Sequence, residues 1–152
     1  MNMMVELGTN FRVRLLESDE CLARAAELMQ WAKPAFVHAA GEVDEVSAVK
    51  MCAMGQASCF VGENNGTLSA LLIAHLEQFP LKKVCNVLAY SGRARDFYEA
   101  NSWLEAWAES QGCVEMRGYG LEGPMKLAMK HGYSEIYRVY VKPLKGNKDE
   151  LH

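Results

Sequence analysis

The 152 residues of this chain are half hydrophobic, enough for one buried core without help from metals or disulfides. Its 16 basic residues are outnumbered by 19 acidic ones, so the formal charge is −3 and no broad positive surface for nucleic acid is expected. Apolar runs are too short to cross a bilayer, and the five cysteines lack metal-ligand spacing. We therefore expect a cytoplasmic protein with no metal site and no nucleic-acid or membrane partner.

The first half of the chain predicts one strand, two helices and a sheet meander. Alternating residues predict a strand over Phe11–Glu17, and helical spacing predicts two helices after it, the second ending before Gly55. Three apolar segments between residues 58 and 90 follow, two of them joined by Asn64-Asn65-Gly66, a sequence typical of a tight hairpin turn. These segments predict an antiparallel meander.

The second half predicts alternating helices and strands. The elements are a helix over Arg93–Gln111 closed by Gly112, a strand over Cys113–Tyr119, a helix over Leu121–Lys130 and a long alternating strand over Glu135–Leu144. The order β-α-α-β-β-β-α-β-α-β predicts an α/β (α+β) domain whose mixed, mostly antiparallel central sheet is flanked by helices. We assign residues 11–144 to this domain, 1–10 to an N-terminal extension and 145–152 to a disordered tail.

Two segments carry a family resemblance. Leu88-Ala-Tyr-Ser-Gly-Arg-Ala94 lies between a strand and the long helix, and Lys130–Leu144 combines a helix end, a Gly-aromatic pair and a long strand ending in Lys-Pro-Leu. With the element order, they resemble the GNAT (Gcn5-related N-acetyltransferase) superfamily, whose members carry Q/R-x-x-G-x-G/A at this helix. Gly92 and Ala94 match that pattern, and Ala89 departs from it. The C-terminal part resembles a divergent branch found largely in phages and prophages.

The resemblance implies a site for acetyl-CoA. Free amides at the start of the long helix would bind the pyrophosphate, and an amide near Leu88 or Ala89 would face the thioester oxygen. Arg93 and Arg95 would contact phosphate oxygens, although both are also compatible with simple solvation. The expected cofactor-binding residues are Leu88, Ala89, Tyr90, Ser91, Gly92, Arg93, Ala94 and Arg95.

The catalytic groups of the family are not where the resemblance places them. Many relatives use a glutamate on the strand before the loop and a tyrosine in the late helix, whereas this chain has Cys85 or Asn86 and Ala128 there. The substitutes that we propose as catalytic are Glu77, Glu115 and Tyr90, with His75 at the end of the long central strand and Ser91 and Tyr119 around the mouth of the cleft. Each of them is also compatible with an ordinary surface or packing role.

The leading hypothesis is an acetyl-CoA-dependent N-acyltransferase that moves an acetyl or other acyl group to a primary amine by direct attack in a ternary complex. The acceptor, a small molecule or protein, would bind near Trp31–Glu45, where acidic residues favour a cationic amine. Two alternatives remain open: a non-catalytic GNAT-like phage structural, assembly or host-interaction protein, and a CoA-binding regulator. The last strand, with Tyr137, Val139 and Tyr140, could also pair across a homodimer.

Overall fold

The computed structural model describes residues 10–37, 42–119, 126 and 128–144. The strands of its sheet are β1 (Phe11–Leu15), β2 (Ser58–Asn64), β3 (Thr67–Gln78), β4 (Lys83–Gly92) and β5 (Glu115–Gly118). Its helices are α1 (Ser18–Ala23), α2 (Ala25–Ala32), α3 (Glu45–Ala53) and α4 (Ala94–Ser110), with a 3₁₀ turn at Lys33–Phe36. No helix in these described ranges has the length and apolar character that crossing a membrane requires.

The sheet follows the chain, with spatial order β1-β2-β3-β4-β5. The first three pairs of neighbours are antiparallel, and β4 with β5 is parallel. A parallel pair needs a crossover connection, and α4 supplies it. The structure therefore confirms the predicted mixed, mostly antiparallel sheet with helices against it, and α4 is the connection between its two parallel strands.

The hairpin between β2 and β3 forms as its sequence predicts. Asn65 and Gly66 both have positive φ, at 54° and 80°. Two consecutive residues with positive φ are the signature of a type I′ turn, which suits the twist of the flanking strands. The tight turn brings β3 back along β2 over most of its length.

The sheet separates two apolar clusters. One lies against α1–α3 and includes Leu28, Leu71 and Ile73. The other lies against α4, where Leu104 packs on Phe60, and Phe60 makes edge-to-face contacts with two tryptophans of the same helix. All five cysteines are buried and unbridged, as the sequence predicted. Apolar layers thus cover both faces of the sheet.

The last part of the predicted order differs from the structure. Residues 133–144 are described, but they form no strand, and Ile136, Tyr137, Val139 and Tyr140 are exposed there. The alternation of apolar and polar residues predicted a strand over Glu135–Leu144. A strand also needs a neighbouring strand to pair with, and β5 offers an edge of only four residues. Most of the helix predicted over residues 121–130, the N-terminal extension up to residue 9 and the C-terminal tail lie outside the described residues.

Candidate functional site

A wedge opens between β4 and β5. The two strands pair from Val84 with Glu115 to Val87 with Gly118, where β5 ends. β4 continues to Gly92, and there β3 is its only partner among the described residues. Over residues 88–92 the other edge of β4 therefore has no paired strand in the described part of the chain, and its amides and carbonyls are open to an extended ligand.

A β-bulge lies at the apex of this wedge. On β3, Ile73 pairs with Ala89 and Ala74 pairs with Val87, so Leu88 is an extra residue of β4 without a cross-strand partner. A bulge bends its strand and takes the extra residue out of the regular ladder. The bulge therefore coincides with the position where the sequence predicted an amide facing a thioester oxygen.

The wide end of the wedge is closed by the start of α4. Arg93 is the N-cap residue, and no side chain of the described residues caps the helix there. The amides of Asp96 and Phe97 both donate to the Arg93 carbonyl, at 3.1 and 3.2 Å. The amides of Ala94 and Arg95, the first two of the helix, are left as donors for a ligand at the positive end of the helix dipole.

Gly92 fits this turn because it has no side chain. Its φ is +150°, and an added Cβ would lie 2.8 Å from the Tyr90 hydroxyl oxygen and 2.9 Å from the Ala70 Cβ. Both distances are shorter than real Cβ contacts, so any other residue would displace the turn from β3. The glycine that carries the sequence resemblance thus has a direct structural requirement.

Tyr90 fastens the same turn. Its hydroxyl donates to the Arg93 carbonyl at 2.6 Å, and its ring meets Phe97 edge to face at 5.0 Å. Burial, and then the nearby Asp96 carboxylate, raise the pKa of Tyr90 to about 12. The hydroxyl therefore keeps its proton at neutral pH and already uses it within the protein.

Two arginines and one carboxylate set the charge of the turn. Arg93 Nε lies 3.1 Å from one Asp96 oxygen, and Arg95 Nε lies 3.9 Å from the other. The Asp96 side chain is nearly buried, whereas those of Arg93 and Arg95 are 52% and 71% exposed. Two cations against one anion leave net positive charge beside the helix start, which favours an anionic ligand.

Glu115 is engaged in ion pairs. Its carboxylate contacts Lys82 and, at 3.0 Å, Arg117, whose guanidinium also stacks on the Phe79 ring at 5.0 Å. The bond to Lys82 first, and then that to Arg117, lower the pKa of Glu115. A carboxylate held ionised by two cations is a weak proton acceptor, so this geometry favours a role in fixing the β3–β4 turn against β5.

Glu77 belongs to a hydrogen-bonded group on the face of the sheet opposite α4. Cys85 packs in the α4 cluster, so the adjacent Asn86 points to the other face. There, Asn86 Nδ2 donates to the Glu77 carboxylate at 2.8 Å, and the Tyr119 hydroxyl donates to Asn86 Oδ1 at 3.2 Å. Asn86 is only 3% exposed. Residues far apart in sequence meet here beside the wedge.

The buried asparagine is the residue that reasoning from sequence undervalued. The Asn86 amide cannot act as a base, but it joins Glu77 to Tyr119. The signal was an asparagine in an otherwise apolar strand, because a buried amide needs partners. The partners themselves depend on the β3–β4 register and its bulge, which local sequence does not specify.

Two further residues that the sequence singled out, Cys85 and Asp44, lie in environments that do not favour a chemical role. Cys85 is fully buried, and burial first, then Cys113, raise its pKa to about 12, so its thiol stays protonated. Asp44, one of three acidic residues in the predicted acceptor segment, caps α3 by accepting from the Ser47 amide at 2.8 Å. Residues 38–41 of that segment lie outside the described residues.

A pocket of about 380 Å³ lies elsewhere, at the C-terminal end of α4. Its lining includes Glu105, Glu109, Cys113 and His131, but none of residues 88–95. The unpaired stretch beyond Gly132 forms its outer wall. This pocket is a space beside the unpaired C-terminal stretch and is separate from the wedge.

Comparison with known proteins identifies the fold of this chain through solved structures, whereas comparison of sequences identifies no family. No protein-family model matches the chain, and a search of curated proteins finds no match. Solved structures do match over nearly the whole chain, at sequence identities that establish the fold alone.

Three of these structures illustrate the likeness. The ribosomal-protein-alanine N-acetyltransferase from Brucella melitensis biovar Abortus 2308 is 13% identical, with TM-score 0.65, 88% of this chain covered and 99% of that one. An aminoglycoside N-acetyltransferase in complex with CoA is 14% identical, with TM-score 0.68 and coverages of 91% and 97%. A GCN5-related N-acetyltransferase from Ralstonia eutropha JMP134 is 16% identical, with TM-score 0.63 and coverages of 90% and 100%. They confirm the GNAT-like fold and give no support to the phage-associated branch.

Proposed function

We propose that this protein is an acetyl-CoA-dependent N-acyltransferase that transfers an acetyl or other acyl group to a primary amine. The observation that carries the proposal is the wedge between β4 and β5, which ends at the uncapped start of α4. A free strand edge and a free helix start, one at each end of a short groove, suit a ligand with an extended amide-containing arm and a diphosphate.

The residues present fit acetyl-CoA. Gly92 keeps the turn close to β3, so the backbone at the helix start stays open, and Arg93 and Arg95 add positive charge. The free edge of β4 can hydrogen-bond a pantetheine amide, and Leu88 lies at the bulge where that edge begins. When bound, acetyl-CoA supplies an activated thioester for attack by an amine.

The chain's own groups favour direct attack in a ternary complex. Cys85 is buried with a protonated thiol and is therefore unsuited to act as a covalent relay. An amide at Leu88 or Ala89 would stabilise negative charge on the carbonyl oxygen. Of the three proposed catalytic residues, Glu115 and Tyr90 are occupied by contacts within the protein. Glu77 bonds Asn86 beside the wedge, a contact that favours a role in orienting neighbouring groups.

The acceptor is proposed to be a cationic primary amine that approaches from the face of α1–α3. Glu42 is exposed in the acceptor segment, while Asp44 is used as a helix cap. One structural neighbour is an aminoglycoside acetyltransferase and another a ribosomal-protein-alanine acetyltransferase, so both amine types belong in a first panel. The homodimer through Tyr137, Val139 and Tyr140 stays a prediction; these side chains are exposed and available for contact.

The direct test uses purified protein with acetyl-CoA and a panel of amines: an aminoglycoside, spermidine, a lysine peptide and a peptide with N-terminal alanine. We expect acetyl-CoA to raise the melting temperature, and mass spectrometry to detect one acetylated amine. Product detection is preferable to thiol release because the protein carries five thiols of its own.

The two alternatives give different results in the same experiment. A CoA-binding regulator would show the thermal shift without any acetylated product. A non-catalytic structural or host-interaction protein would show neither. Absence of both the shift and the product at millimolar acetyl-CoA would overturn the proposed function.

A further inference from the structure

Tyr119 is the first residue beyond the paired part of β5. Gly118 makes the last pair of the β4–β5 ladder, with Val87. The next residue on β4 is the bulged Leu88, so Tyr119 lies beside the apex of the wedge. Its side chain is 58% exposed, yet its hydroxyl is bonded to Asn86. The hydroxyl is thus fixed at one atom while the rest of the ring stays accessible.

The polarity of the hydrogen-bonded group follows from Glu77. An ionised carboxylate only accepts hydrogen bonds, so Asn86 must turn its NH₂ group toward Glu77. The Asn86 carbonyl then faces Tyr119, and the Tyr119 hydroxyl must donate to it. The Tyr119 proton is therefore committed to Asn86, and Arg117 also bonds the Tyr119 oxygen, which leaves that oxygen one lone pair for a ligand.

We infer that Tyr119 accepts a hydrogen bond from the N–H of the incoming amine, and that Asn86 and Glu77 are positioning residues that hold the Tyr119 proton and so leave a lone pair for the amine. The inference rests on the proposed acyl transfer. It assigns the Tyr119 oxygen a place beside Leu88, where the attacked carbonyl is expected. An oriented acceptor next to the reaction centre aligns the nitrogen lone pair for attack.

Tyr119 acts here as a neutral acceptor rather than as a proton carrier. Burial first, and then Tyr137 and Glu77, raise the pKa of Tyr119, while Arg117 opposes the shift. The hydroxyl therefore keeps its proton at neutral pH. An asparagine amide cannot pass that proton onward, so the chain from Tyr119 to Glu77 orients a group without forming a proton relay.

The test compares Tyr119→Phe, Glu77→Gln and the double variant with the wild type, using the panel amine that the wild type acetylates fastest. Tyr119→Phe should raise the KM for the amine about 3- to 10-fold, the range for one lost hydrogen bond, and leave the Kd for acetyl-CoA unchanged. Glu77→Gln removes the carboxylate that fixes the Asn86 amide. The amide can then rotate by 180°, so the KM for the amine should rise in this variant as well. The double variant should have the same amine KM as Tyr119→Phe alone, because both changes remove the same hydrogen bond between Tyr119 and the amine.

Tyr140→Phe is the matched control, because Tyr140 is 87% exposed and lies in the unpaired C-terminal stretch. It should leave the KM unchanged, and circular dichroism should find all variants folded. Equal amine KM values for Tyr119→Phe and the wild type would overturn this inference while leaving acyl transfer intact. Additive losses in the double variant would overturn the positioning role of Glu77. A wild type that acetylates no panel amine would overturn this inference together with the proposed function.

Discussion

The two ends of the wedge are built in different ways. At the start of α4 the groups proposed to bind acetyl-CoA are backbone amides. The Tyr90 side chain and the lack of a side chain at Gly92 shape the turn there. At the apex the polar groups are side chains from three separate strands or strand ends, Glu77, Asn86 and Tyr119. The start of α4 should therefore tolerate side-chain substitutions that preserve the turn. The apex should depend on each of its three polar side chains.

This difference separates binding from chemistry. A diphosphate bound by amides needs no particular side-chain chemistry, so a chain that has lost the usual glutamate and tyrosine of its fold can still retain the cofactor. Transfer to an amine also needs an oriented nucleophile, and the groups proposed to orient it lie at the apex. Variants at the helix start should alter affinity for acetyl-CoA, and variants at the apex should alter the handling of the amine.

The largest expected effect is at Gly92. Gly92→Ala places a methyl group within 3 Å of Tyr90 and Ala70 at φ +150°, so the turn must move away from β3. We expect affinity for acetyl-CoA, measured by calorimetry, to fall about 10- to 100-fold, or roughly 1.4–2.7 kcal/mol. Because Gly92 also ends the β4 edge that would pair with the pantetheine arm, pantetheine, which lacks the diphosphate, should bind more weakly as well.

Gly66→Ala is the control for this change. Gly66 has φ +80°, so alanine is strained there as well, but an added Cβ meets nothing within 4 Å. The control should therefore lose stability without losing acetyl-CoA binding. Equal affinity of Gly92→Ala and the wild type for acetyl-CoA would place the cofactor outside the wedge.

A smaller effect is expected from the arginines. Arg95→Gln removes an exposed charge that contacts Asp96 only at 3.9 Å, so the fold should be unaffected. Affinity for CoA should fall about 2- to 5-fold at low salt, which is the scale of one exposed charge, and the loss should shrink as salt is added. Pantetheine binding should not change, because the missing charge acts on phosphate. Weakened pantetheine binding would contradict this assignment of Arg95.

The sequence predicted the helix start better than the apex because the helix start is local. A glycine between a strand and an amphipathic helix is visible within seven residues, and its neighbours Tyr90 and Arg93 contact each other across three residues. The apex joins Glu77 to Asn86 and Asn86 to Tyr119, over separations of 9 and 33 residues. These contacts require the β3–β4 register, the bulge at Leu88 and the exact end of β5, none of which periodicity specifies.

The same reasoning applies to the C-terminal stretch. Periodicity read Glu135–Leu144 correctly as alternating, but a strand also needs a free edge of matching length, and β5 presents four residues. The Asn65-Gly66 hairpin was predicted correctly because its partner is its immediate neighbour. Local patterns thus identified elements whose partners are local, and they failed where the partner lies far along the chain.

The smallest expected effect tests whether Glu115 is structural. Its ion pairs with Lys82 and Arg117 lower the pKa of its carboxyl group in the folded state below the unfolded value of about 4.3. A lowered pKa means that these pairs stabilise the fold above the unfolded pKa, and that this stabilisation is lost as the pH falls through the folded pKa. Glu115→Gln removes the charge at every pH, so its melting temperature should lie slightly below that of the wild type at pH 7 and approach it below pH 4. The amine KM should stay at the wild-type value; an altered KM together with an unchanged melting temperature would instead restore Glu115 as a catalytic group.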